Sequence, residues 1–164
     1  LSSGFIISYI PHNSYIINLV NTRRNLSEMG RRQAVYYGQI LRNLQIPICY
    51  PIQTSPFCRA IQTAQLAFGN IGIQIDPFWF EIYKLSGNLP SAGKENIDSL
   101  KLNLEIKPPQ GCNRLIIAHS FQDGIGLGQV PDMGTVIIKP LGQGNGYDIV
   151  SKLSLADLAN LSSF

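Results

Sequence analysis

Charge is scarce in this chain. Charged residues make up 14% of its 164 positions and apolar ones 45%, with a net charge of +3. That balance excludes a disordered, self-repelling segment. Arginines 23, 24, 31, 32 and 42 lie in one region, which suits acidic substrates. They do not alternate with aromatic residues in the manner of a nucleic-acid-binding surface, so no nucleic-acid partner is expected. Long apolar runs are missing, and none approaches the roughly 20 residues of a membrane span, so no membrane partner is expected either. Cysteine is rare: Cys49, Cys58 and Cys112 are far apart. They have no metal-ligand spacing, and their odd number argues against a complete disulfide framework. A glycine-rich nucleotide loop is also lacking, because Gly142 to Gly146 falls between two predicted strands rather than before a helix. No repeat or low-complexity linker is present. The length predicts a single domain over 1–164. With no His, Cys and carboxylate cluster at ligand spacing, no metal and no cofactor are expected. No signal peptide is visible, which fits a cytoplasmic protein or an exported one whose signal is gone. Oligomeric state is left open.

What the sequence does contain is organised around Gln53-Thr-Ser-Pro-Phe-Cys-Arg-Ala-Ile-Gln-Thr-Ala64. An apolar run, Ile46 to Ile52, leads into it. Ser55 is a good N-cap, because its hydroxyl can accept from a free N–H of a first helical turn, and Pro56 suits the first helical position. Phe57, Ile61, Ala64 and Phe68 then recur at helical spacing. The stretch reads as strand, tight turn and helix, with Arg59 in the first turn. Free N–H groups, the positive end of the helix dipole and a guanidinium would converge there, which makes an anion site. An ordinary strand–helix connection with a surface arginine is the plainer reading.

In chain order, Gly4 to Ile10 reads as a buried strand that stops at Pro11-His12-Asn13. Ser27 caps a helix, with Leu26 placed as a hydrophobic staple and Ala34, Tyr37, Leu41 and Leu44 on its buried face. Pro47 ends it. The strand near 48–53 and the helix near 56–68 follow, and Gly69-Asn70 closes that helix. Ile71 to Ile75 is a short strand broken by Asp76-Pro77. Phe78-Trp79-Phe80 is an aromatic patch suited to the core, and Glu81 follows it. A helix from about Lys94 to Ile106 is carried by Ile97, Leu100 and Leu104. Leu115 to Ala118 is a short buried strand ending at His119-Ser120. Thr135 to Lys139 and Tyr147 to Lys152 form a hairpin, and Ser154 caps a last helix with Asp157 in its first turn. Strands alternating with helices predict an α/β fold, with helices sandwiching a mainly parallel sheet.

Both histidines of the chain, His12 and His119, follow directly on predicted strands. In a parallel α/β sheet the carboxyl ends of the strands share one edge, where ligands bind. The Ser55–Arg59 turn begins at such an end too. His12, Arg59 and His119 are therefore expected to face one pocket. Either histidine alone would read as a hydrogen-bonded structural side chain.

Three strings then go together: Leu26-Ser-Glu-Met-Gly-Arg-Arg-Gln-Ala34, Ser55-Pro-Phe-Cys-Arg-Ala-Ile-Gln-Thr-Ala64 and Leu115-Ile-Ile-Ala-His-Ser120, with Glu81 between the last two. In order and spacing the chain resembles the histidine phosphatase superfamily, also called phosphoglycerate-mutase-like. The resemblance implies a three-layer α/β/α sandwich and a phosphomonoester hydrolase that needs no metal. Its partner would be a small phosphorylated substrate or inorganic phosphate. It also implies that His12 attacks phosphorus and forms a phosphohistidine, while Arg59 and His119 hold the phosphoryl oxygens. Glu81 matches the region of the family's proton donor, and the aromatics before it suggest surroundings that would keep a carboxyl protonated. A solvated loop carboxylate is the other reading of Glu81.

The chain also departs from the family, whose first strand ends in Arg-His-Gly. Here Pro11 and Asn13 flank the histidine. Pro11 cannot contact phosphate as the arginine does, and loss of one such donor costs about 10²–10³ in rate. Asn13 tolerates left-handed backbone and can stand at the phosphate-binding turn, and Arg24 or Arg23 is positioned in sequence to replace the missing cation. Two readings follow: a phosphatase acting through His12, or a degenerate relative that binds a phosphorylated ligand or partner without turnover.

Overall fold

Strands and helices alternate along the chain as the pattern predicts. The protein is described here from a computed structural model over residues 5–9, 25–86, 93–131 and 133–163, with 5–9 and 86 described by their backbone. The strands are β1 Phe5–Tyr9, β2 Ile48–Thr54, β3 Ile73–Ile75, β4 Asn113–Ala118, β5 Thr135–Pro140 and β6 Tyr147–Leu153. The helices are α1 Glu28–Asn43, α2 Cys58–Phe68, α3 Phe78–Tyr83, α4 Lys94–Leu104 and α5 Leu155–Leu161, with a 3₁₀ turn at Lys84–Ser86.

All six strands join one sheet in the order β3-β2-β4-β1-β5-β6. β1, β2, β3 and β4 pair in parallel, whereas β5 runs antiparallel to β1 and β6 antiparallel to β5. β4 lies between β1 and β2, and an apolar layer covers each of its faces. Leu115 and Ile117 pack with Tyr37, Leu41, Ile52 and Ala64 from the α1 and α2 side. Ile116 and Ala118 pack with Trp79, Ile82, Leu100 and Leu104 from the α3 and α4 side. This double covering is why β4 reads as a continuous apolar run rather than an alternating one. The result is a three-layer α/β/α sandwich around a mainly parallel sheet.

The helices are set by local chemistry and then by packing. Ser27 caps α1, its hydroxyl accepting from Gly30 N–H at 3.1 Å. The expected face of α1 is buried at Ala34, Tyr37 and Leu41, with Ile40 added. α1 lies close against α2: a Cβ on Gly38 would meet the Ala67 carbonyl oxygen at 2.1 Å. Arg42 donates to that same oxygen at 2.7 Å. Ser154 and Asp157 form a reciprocal capping box on α5. Bonds from the Ser154 N–H and hydroxyl hold the Asp157 carboxyl below its ordinary range. The partly buried guanidinium of Arg114 reaches Gln53 Oε1 at 2.8 and 2.5 Å across the β4–β2 seam. Burial lowers its pKa to about 10, and Asp76 partly opposes that shift.

The structure departs from the sequence reading in several places. α2 starts at Cys58 with Phe57 as its N-cap residue, and no side chain caps it. Ser55 is not the cap, because its N–H still bonds Ile117 O at 3.1 Å as the chain leaves the sheet. The buried face of α2 is Ala60, Thr63, Ala64 and Ala67, rotated from the expected face because small residues admit the close approach of α1. In α4 Leu100 and Leu104 are buried but Ile97 is 40% exposed. The aromatic triplet opens α3, with Trp79 fully enclosed. Cys49 and Cys112 form a disulfide with Cα atoms 5.1 Å apart, leaving Cys58 free. They come together because Ile48 and Asn113 pair where β2 and β4 begin, a proximity that no sequence spacing announces.

Two stability outcomes follow. Gly38→Ala is expected to cost about 3 kcal/mol or more in urea unfolding, since the obstacle is backbone rather than a mobile side chain. The disulfide closes a separation of 63 residues. In the chain-entropy account, its reduction or a Cys49→Ser/Cys112→Ser double variant costs about 4 kcal/mol, read as a lowered Tm.

Candidate active site

β2 and β4 end side by side, and their next residues build the site. Ser55 follows β2 and His119 follows β4. The Ser55 hydroxyl lies 2.8 Å from His119 Nε2, and the two residues are 0% and 5% exposed. Two residues beyond Ser55 the chain turns into α2, which puts Arg59 in its first turn. Arg59 Nη2 is 3.5 Å from His119 Nδ1. The guanidinium carbon sits 4.9 Å above the centre of the Phe57 ring, a cation–π contact. His119 is held edge-on by Phe57 at 4.8 Å and by Tyr83 of α3 at 4.9 Å. Phe57 also meets Tyr83 at 4.9 Å and Phe80 at 5.8 Å. The ring and the guanidinium are thus fixed by aromatic neighbours from two helices.

Arg59 Nε is buried and has no hydrogen-bond partner among the described residues. A buried donor of that kind is costly unless an acceptor meets it. It lies at a helix N-terminus, where the first N–H groups have no intrahelical acceptor and the dipole favours negative charge. Arrangement and charge suit an oxyanion such as phosphate.

Arg59 and His119 are brought together as the sequence predicts. Glu81 lies in α3, which turns Trp79, Ile82 and Tyr83 inward. Its own carboxylate faces outward and pairs with Lys84 at 2.5 Å, the Glu81 side chain being 54% exposed. The aromatic enclosure expected from the residues before it is therefore not formed, because consecutive residues of a helix point about 100° apart. His12, Asn13, Arg23 and Arg24 lie outside the described residues.

Three site residues went unread in the sequence. Ser55 was legible only as a cap. Phe57 was legible only as an apolar position and Tyr83 was not singled out, since their role depends on His119, more than 30 residues away from either. Gln62 has a place too: its amide accepts from Leu26 N–H at 3.0 Å and donates to Asn25 Oδ1 at 3.2 Å. It ties the start of α1 to α2, joining two of the strings that stood out in the sequence. Thr63 bonds the Arg59 carbonyl at 2.9 Å.

Residues 21–83 match the family model of the histidine phosphatase superfamily (branch 1). No curated protein matches the chain by sequence. Among solved structures, a histidine-to-alanine mutant of phosphoserine phosphatase from Entamoeba histolytica, in complex with phosphoserine, superposes with a TM-score of 0.59 at 18% identity, covering 94% of this chain and 98% of that one. Phosphoserine phosphatase from the same organism in complex with 3-phosphoglyceric acid gives 0.56 at 16% identity, over 94% and 98%. The protein histidine phosphatase SixA, complexed with tungstate, gives 0.54 at 12% identity, over 93% and 99%. Residues 21–83 are thus similar in sequence to the histidine phosphatase superfamily, and the chain as a whole has the fold of these phosphatases.

Proposed function

We propose that the chain is a phosphomonoester hydrolase acting through a phosphohistidine on His12. The observation that carries this reading is the pairing of Arg59 with His119 beside the end of β1. Tyr9 is in register with Ala118, the residue before His119, and His12 is three residues beyond Tyr9 in the sequence. A ring nitrogen of His12 would attack phosphorus as the ester P–O bond breaks. Arg59 and His119 would hold the phosphoryl oxygens while charge spreads over them. The leaving alkoxide would take a proton, and water would then cleave the P–N bond and release phosphate. Relatives of this fold bind phosphoserine and 3-phosphoglyceric acid, which supports a small phosphorylated substrate.

In this reading Asn13 and Arg24, with Arg23, take over the phosphate contacts that Pro11 cannot make. Glu81 serves as proton donor to the alkoxide once released from Lys84. Pro11 itself favours the second reading, a phosphate binder without turnover, because it deletes one donor.

Hydrolysis of p-nitrophenyl phosphate across about pH 4 to 8 tests the reading. Parent activity is expected, with none in His12→Ala and a fall of about 10²–10³ in kcat for Arg59→Ala. No turnover in the parent, with inorganic phosphate still bound, establishes the binder instead. An Arg23→Ala/Arg24→Ala variant is expected to lose phosphate affinity in calorimetry, and an unchanged affinity removes these arginines from the site. Glu81→Gln is expected to spare p-nitrophenyl phosphate, whose leaving group needs no proton, and to slow an alkyl phosphate by about 10²-fold or more. Equal effects on both substrates would end its role as the donor.

A further inference from the structure

Ser55 is completely buried at the end of β2, and neither the strand nor the helix after it uses its hydroxyl. That hydroxyl meets His119 Nε2 at 2.8 Å. A hydroxyl can donate or accept, whereas each imidazole nitrogen does one or the other according to the tautomer. The second ring nitrogen, Nδ1, faces Arg59 Nη2 at 3.5 Å. A guanidinium only donates. In the neutral ring Nδ1 is therefore the acceptor, and Nε2 carries the proton and donates it to Ser55 Oγ. The edge-on rings of Phe57 and Tyr83 prevent the imidazole from turning away from this pair.

We propose that Ser55 is a positioning residue whose hydroxyl fixes the tautomer of His119 and keeps Nδ1 beside Arg59. What Nδ1 does there rests on the phosphatase reading: protonated, it becomes a second donor next to the guanidinium, aimed at the same phosphoryl group. The Nε2–H bond to Ser55 Oγ survives that protonation and is stronger to the cation, as charge-assisted bonds are. Ser55 thus favours the imidazolium. Among the described residues the Arg59 guanidinium of α2, which opposes the imidazolium, and the Tyr83 phenol of α3 face His119, and the ring has a further contact besides these.

The test is nitrogen NMR of the imidazole rings across about pH 4 to 9, with His119→Ala separating the chain's two histidines. The neutral His119 ring is expected to carry its proton on Nε2. Ser55→Ala is expected to titrate about one pH unit lower, and Ser55→Thr, which keeps the hydroxyl, to return to the parent curve. A neutral ring protonated on Nδ1, or an unmoved titration in Ser55→Ala, overturns the proposal. If Ser55→Ala does not fold, the parent tautomer and the Ser55→Thr titration decide. These readouts need no turnover, so a failed phosphatase reading shows in the parent assay and a failed positioning role shows in the spectra. With turnover present, the basic limb of kcat/KM is expected to move down by the same amount in Ser55→Ala. A purely structural role would lower the amount of active protein and leave that limb in place.

Discussion

Burial of β4 on both faces is the constraint on which the rest depends. A parallel strand flanked by two others can be dry on both sides only if helices cover each face. α1 and α2 do this from one side and α3 and α4 from the other. The strand then ends at the same edge as its neighbours, and the first residue beyond it is His119. Because Ser55 N–H still pairs with Ile117 O, the exit of β2 is held level with that of β4. The 2.8 Å contact between Ser55 and His119 is a consequence of sheet register before it is a feature of a site.

The same economy governs the helices. α2 must bring its N-terminus to the edge while lying flat on the sheet and against α1. Ala60, Ala64 and Ala67 make its inner face thin, and Gly38 lets the α1 backbone reach the Ala67 carbonyl. Arg59 is then left beside the sheet edge with aromatic support from Phe57. α3 contributes Tyr83 to that support and directs Glu81 outward, since one short helix cannot send both to the same place. Gln62 ties the entry of α1 to this unit through bonds to Leu26 and Asn25.

Much of this was legible in the sequence, for identifiable reasons. Ser27 and Ser154 announce helix starts because capping is a short-range interaction between a hydroxyl and an N–H three residues on. β4 is legible because four apolar residues in a row require burial on both sides. Arg59 and His119 could be assigned to one edge because parallel topology alone sends their strands there. Ser55 was misread for the same local logic: a serine before a proline looks like a cap, and only the arrival of β4 beside it gives the hydroxyl another partner.

What the sequence determined by itself, then, is the order and type of the elements and the identity of the charged and imidazole groups at the sheet edge, because periodicity, capping and strand direction are properties of contiguous residues. Tertiary structure alone decided which groups touch. The Ser55–His119 bond spans 64 residues and the Cys49–Cys112 disulfide spans 63. The outward turn of Glu81 follows from which face of α3 the core claims. Contacts of that range are set by the packing of whole elements, and no local pattern of residues encodes them.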